Sequence, residues 1–201
     1  MFKKITLVAF TLVLAFRCDF YDLEINEDPN RPIATTPDLL LPSIEFGWAD
    51  SYQGFHDLGS GIMGHHDNFD GLSYTQNTFD ANWQNVYLGE ASDLDEYLKS
   101  AAGVNEDGVL LTPGALGIGE VLKAHIYTTL VDHWGDVPFS EANQGNDDGN
   151  VNPVYSDQEV IYTSCLALID SAIVHFAAET IDPSGDLIYD GNMTKWSKAA
   201  K

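Results

Sequence analysis

His65, His66 and Asp67 stand side by side, and imidazole and carboxylate groups are the ligands zinc and iron take. A metal held on one helix face needs ligands at i and i+4, however, and these three are consecutive with no further ligand identifiable, so no metal is assigned. His125 and His133 lie two helical turns apart, but among core-type residues, and read as hydrogen-bonded buried histidines. Asn146-Asp147-Asp148-Gly149 resembles half of a calcium loop. Laid on the twelve-residue pattern, it puts Gln144 first and Tyr155 last, so the terminal glutamate is missing and a solvated loop is the better reading. The 31 acidic residues offer many pairs for glycoside hydrolysis, but the test of such a pair is distance in space. No Ser, Cys or Thr sits in a nucleophile elbow, and no glycine-rich phosphate cradle follows a strand. No catalytic residue, metal or cofactor follows from these patterns.

The remaining candidate is aromatic and amide-rich: Asn68, Phe69, Tyr74, Gln76 and Asn77, between two helical stretches. Aromatic faces stack on the apolar faces of sugar rings, while amides donate to and accept from hydroxyls at once. Asn68, Phe69, Tyr74 and Asn77 are therefore the expected ligand-binding residues. The competing reading is a loop that packs its aromatics onto the neighbouring helix.

The elements that must position such groups are helical. Val121, Leu122, His125, Ile126, Thr129, Leu130 and Trp134 recur at three- and four-residue steps, which predicts one buried stripe. Thr112-Pro113 opens that helix; Gly135 ends it, and Pro138 holds Val137 extended. Upstream, Thr36-Pro37 looks like a helix start but Pro42 interrupts it, so the first main helix is placed from Ser43 through Tyr52 and onward. A helix over 77–102 buries Trp83, Tyr87, Leu94, Tyr97 and Leu98, and turns Glu90, Asp93, Asp95, Glu96 and Lys99 to solvent. Ser156 is expected to cap the next helix, in which Cys165 is a buried structural thiol, and Asn192 or Thr194 starts the last. Helices of roughly 20 residues recurring about every 40, without sustained strand alternation, predict an all-α, tetratricopeptide-like solenoid of helix pairs.

The N-terminus reads as an export signal. Lys3 and Lys4 precede a 12-residue apolar run, Ile5 to Phe16, too short to span a bilayer. Cys18 follows where a bacterial lipoprotein carries its diacylglyceryl cysteine, although Arg17 is larger than the residue usual before that thiol. The expected organisation is a signal over 1–17, an extended leader over 18–36 containing Asp28-Pro29-Asn30-Arg31-Pro32, and a helical domain over 37–201. The full chain has a net charge of −22; removing Lys3, Lys4 and Arg17 from nine basic residues leaves six against 31 acidic. Such a surface repels phosphate, which excludes a nucleic-acid partner, and it favours neutral or cationic ligands over polyanions.

Three stretches carry a family likeness. AHIYTTLVDHWGDVPFSEA (124–142), PVYSDQEVIYTSCLALIDSAI (153–173), and Gly185-Asp186 with Tyr189, Gly191 and Lys195-Trp196 resemble, in order and spacing, the signature runs of the SusD/RagB family. The resemblance implies a mostly helical SusD-like fold built on tetratricopeptide-type pairs. It also implies a non-catalytic, lipid-anchored nutrient-binding protein of the Bacteroidetes outer membrane, facing the cell exterior. Such a protein takes up an oligosaccharide, or in some members a peptide, and delivers it to a TonB-dependent, SusC-like barrel. Family members are considerably longer, so the expectation is an N-terminal part of that fold, incomplete at its C-terminus. An exported all-helical glycoside hydrolase or lyase, and a tetratricopeptide scaffold that binds only protein, are the alternatives.

Overall fold

The computed structural model describes residues 36–65, 79–145, 149–178 and 184–201. Helix α1 (Pro37–Ile62) is followed by α2 (Asp80–Asn85), a π-helical turn (Val86–Glu90) and α3 (Ala91–Ala101). Then come α4 (Pro113–Trp134), β1 (Val137–Pro138), β2 (Tyr155–Ser156), α5 (Gln158–Ala178) and α6 (Met193–Ala199). The two short strands pair antiparallel, Val137 opposite Ser156 and Pro138 opposite Tyr155.

Side-chain bonds fix how the helices run. Ser51 on α1 donates to Glu90 at 2.8 Å, while the Phe55 ring lies 5.5 Å from Phe79, so α1 runs antiparallel to the segment from α2 to α3. On α4, Glu120 accepts from Ser171 Oγ at 2.9 Å and meets His175 Nδ1 at 2.8 Å, and at the other end Asp132 meets Tyr162. Helices α4 and α5 are therefore a second antiparallel pair. Trp48 to His125 and Phe55 to His133 join the pairs, with α1 and α4 parallel. The architecture is all-α and made of stacked helix pairs.

Helix α4 lies at the centre, and its burial is wider than one stripe: Ala115, Ile118, Leu122, Ala124, Ile126, Tyr127 and Leu130 are all buried. A helix that is apolar on most sides must be enclosed by neighbours. Two glycines admit them. A Cβ on Gly117 would meet the Phe176 ring at 2.6 Å, and one on Gly119 would meet Leu98 at 2.7 Å and Tyr97 at 2.8 Å. Tyr97, fully buried, also donates to the Ala115 carbonyl at 2.8 Å.

Several local expectations need correction. Pro42 does not interrupt the first helix, which begins at Pro37 and carries Pro42 inside it. Proline at that position removes the bond to the Asp38 carbonyl, and the backbone of Gly185 (φ 85°) packs so closely there that a Cβ would stand 2.6 Å from the Asp38 oxygen. Glu90 belongs to the interior, not to a solvated face: the π-helical turn shifts the face it presents, and Ser51 binds it. Asp157 rather than Ser156 caps α5, its Oδ1 accepting from the Glu159 N–H at 2.8 Å, because Ser156 is held in the ladder opposite Val137. Asn192 is the residue that caps the last helix, accepting from Lys195 N at 3.0 Å. His125 and His133 keep partners but lie at the surface, and Trp134 is half-buried.

The chain from 184 to 196 is organised by one carboxylate. Asp186 accepts from the N–H groups of Ile188 (2.9 Å), Tyr189 (3.0 Å) and Gly191 (2.9 Å) and from Trp196 Nε1 (2.6 Å). Burial by itself raises its pKa, and these four donors outweigh that and hold it below the usual value. Beside it Glu45, 3% exposed, accepts from Leu187 N at 2.6 Å and carries one oxygen with no partner. Burial, reinforced by Asp186 and opposed by the backbone N–H groups of Leu187 and Ile188, pushes Glu45 up to about 8. The fold therefore favours neutral Glu45. Its stabilising contribution is complete below the unfolded value near 4.5 and is lost as pH rises through about 8. Glu45→Gln, which fixes the neutral form, is expected to raise the melting temperature at pH 9 relative to the parent and to leave it nearly unchanged at pH 5; equal shifts at both pH values would refute the protonated glutamate.

Candidate functional site

The ends of three elements meet in a surface cleft of about 330 Å³, lined by Asp80, Trp83, Gln84, Trp134, Asp136 and Tyr155. Each arrives for a local reason. Trp83 and Gln84 are carried by α2, and Trp134 is the last residue of α4. Gly135 then takes φ 78° and turns the chain so that Asp136 follows on the same side. Tyr155 is set by its pairing with Pro138, whose carbonyl also accepts from Tyr87 at 2.7 Å. Asp136 Oδ1 accepts from Gln158 N at 3.0 Å, which ties the turn to the start of α5.

The rings form an aromatic cluster at the cleft. Trp83 and Tyr155 lie nearly parallel, 20° between planes and 6.4 Å between centroids, while Trp134 meets Trp83 edge-on at 5.1 Å. Tyr155 is 64% exposed, so its ring is open to a ligand. The cleft thus joins aromatic faces to two carboxylates and an amide. Aromatic faces take the C–H side of a pyranose, and the carboxylates and the Gln84 amide are suited to its hydroxyls. No group of three His, Cys, Asp or Glu side chains able to hold a metal occurs among the described residues.

A larger cavity, about 560 Å³, opens between α1, α4, α5 and α6. Its walls are mainly apolar, with Trp48, Tyr52, Leu166, Ile169, Ile188 and Trp196 among them. His125 borders it, accepting from Trp48 Nε1 at 2.8 Å through Nδ1; although its edge is open, the rings of Trp48 and Tyr52 screen it from water, and this desolvation lowers its pKa. Such a wall offers a sugar few hydroxyl partners, so the smaller cleft is the candidate site.

Asn68, Phe69, Tyr74 and Asn77, with Gln76, lie outside the described residues, as do Cys18, His66, Asp67 and the stretch 146–148. Sequence periodicity places Trp83 and Trp134 on buried stripes, and it gives Tyr155 no role in a site. The signal available was Trp134 directly before a Gly-Asp turn, since an aromatic at a helix end is only partly enclosed.

Residues 29–201 match the model of a family described as SusD-like, starch-binding and associating with the outer membrane. A comparison with curated protein sequences finds no match. Among solved structures the chain is similar to a SusD/RagB family protein of Bacteroides thetaiotaomicron, with a TM-score of 0.66 and 21% identity. The alignment covers 83% of this chain and 36% of that one, so the chain spans little more than a third of its solved relative.

Proposed function

The chain belongs to the SusD-like family of starch-binding proteins associated with the outer membrane, and from that premise we propose that it captures a neutral oligosaccharide without cleaving it. The cleft of Trp83, Trp134 and Tyr155, flanked by Asp80, Gln84 and Asp136, is the observation that carries this reading. A net charge of −22 suits a neutral ligand better than a polyanion. The oligosaccharide is handed to a TonB-dependent, SusC-like barrel, and Asn68, Phe69, Tyr74 and Asn77 are further ligand-binding residues.

Isothermal titration with maltoheptaose, followed by chromatography of the sugar, tests the binding. Saturable binding with the sugar recovered intact is the expected result. Shortened products would make the protein a hydrolase or lyase, and binding of a peptide in place of the sugar would move it to the peptide-binding members. Anchoring through lipidated Cys18, with the signal over 1–17 removed, keeps the protein on the cell exterior. Cys18→Ser is expected to abolish palmitate labelling and to release the protein from membranes; retained label on that variant would refute the anchor.

A further inference from the structure

Glu45 and His125 border the larger cavity, which the sugar cleft leaves unused. Its volume of about 560 Å³ falls within the range, about 300–1,000 Å³, of pockets that enclose a small organic ligand. Two ring pairs line it: Trp48 with Tyr52, 5.5 Å between centroids, and Tyr189 with Trp196, 5.1 Å apart and edge to face. No lysine or arginine is among the described residues of its wall.

Two polar groups in this wall are donors in want of an acceptor. The Trp48 indole N–H can only donate, so its 2.8 Å bond makes His125 Nδ1 the acceptor and puts the proton of the neutral ring on Nε2. Desolvation, which lowers the His125 pKa, keeps the ring in that neutral form. Glu45 is 3% exposed, and its Oε2 accepts from Leu187 N at 2.6 Å, so Oε1 is the hydroxyl oxygen of the neutral acid. Oε1 is buried and has no partner among the described residues. A buried polar group in that state is costly, and an acceptor that reaches it removes the cost.

The ligand chemistry follows from this wall. An anion would meet Glu45 and Asp186 with no cation to balance it, an amine would bring donors to donors, and a sugar would leave most of its hydroxyls unpaired. We infer that the cavity is a second binding site, for a neutral aromatic ketone of two or three rings, whose oxygens accept hydrogen bonds from Glu45 and His125 while its rings lie against Trp48, Tyr52 and Trp196. It shares no lining residue with the cleft of Trp83, Trp134 and Tyr155, so it does not depend on which ligand the cleft takes.

The test is equilibrium dialysis of the full chain against flavone and against flavan, the same ring frame without the carbonyl. It is run at pH 6, below the value of about 8 to which burial pushes Glu45. The expected result is saturable binding of flavone, one per chain, at least about tenfold tighter than flavan. Ala49→Trp, at an exposed position of the cavity wall, is expected to abolish that binding without changing the melting temperature. His125→Phe keeps a ring but removes the N–H, and is expected to weaken flavone at least about fivefold while leaving flavan unchanged. Absence of saturable flavone binding overturns the proposal, and so does equal affinity for flavone and flavan, which would make the cavity a nonspecific apolar surface. Full binding by folded Ala49→Trp overturns it as well, by moving the ligand elsewhere, the aromatic cleft included. Should Ala49→Trp not fold, His125→Phe decides, and an unchanged flavone affinity in that variant overturns the proposal.

Discussion

Asp186→Ala is expected to destabilise the protein by about 3–5 kcal/mol. The methyl group leaves three backbone N–H groups and the Trp196 indole N–H without their acceptor; those of Gly191 and Trp196 are in buried bonds, where an orphaned donor costs about 1–3 kcal/mol before relaxation. Trp196 is 2% exposed, so water cannot replace the lost bond without opening the contact between α6 and α5. The measurement is a urea unfolding curve followed by tryptophan fluorescence. A midpoint within error of the parent would show that the loop from 184 to 192 is held by its backbone alone. The pH dependence has the opposite sign to that of Glu45. Because Asp186 is held below the ordinary aspartate value of 3.8, its contribution is present above that pH and is lost as pH falls through the lower folded value. The parent should therefore lose stability both on acidification, through Asp186, and as pH rises towards about 8, through Glu45.

Tyr155→Ala is expected to weaken oligosaccharide binding about ten- to hundredfold while leaving the melting temperature almost unchanged. A ring that covers one sugar face contributes about 1.5–3 kcal/mol of apolar contact, and every 1.4 kcal/mol is about tenfold in Kd. Tyr155 is 64% exposed, and its backbone, not its ring, makes the ladder with Pro138, so the fold does not need the side chain. Trp83 is a useful contrast, since its ring also packs on Tyr87 at 4.8 Å and on Trp134 at 5.1 Å; Trp83→Ala should lose both affinity and stability. Unchanged maltoheptaose affinity in Tyr155→Ala would remove the cleft from the ligand path.

Elements closed by local chemistry were legible in the residues. Pro113 opening α4, Gly135 ending it at positive φ and Asn192 capping α6 each need only a neighbour or two along the chain. The expectations that failed depended on distant partners. Pro42 continues a helix because a segment more than a hundred residues later packs on the carbonyl it leaves unbonded. Glu90 turns inward because of a one-residue shift in helical phase together with a hydroxyl from α1. Neither cause leaves a mark in the local pattern of apolar residues.

The site divides along the same line. From sequence came the acidic composition, the helix pairs and a family likeness whose fold and membership are matched over residues 29–201. Trp83, Trp134 and Tyr155 also had readable local roles, because the type of a residue and its helical phase decide whether a side chain can be buried. That the three rings share one cleft was decided by how the pairs stack. Stacking depends on summed contacts between residues far apart in the chain, such as Gly117 with Phe176 or Glu45 with Leu187, and short-range periodicity carries no information about which faces those contacts bring together.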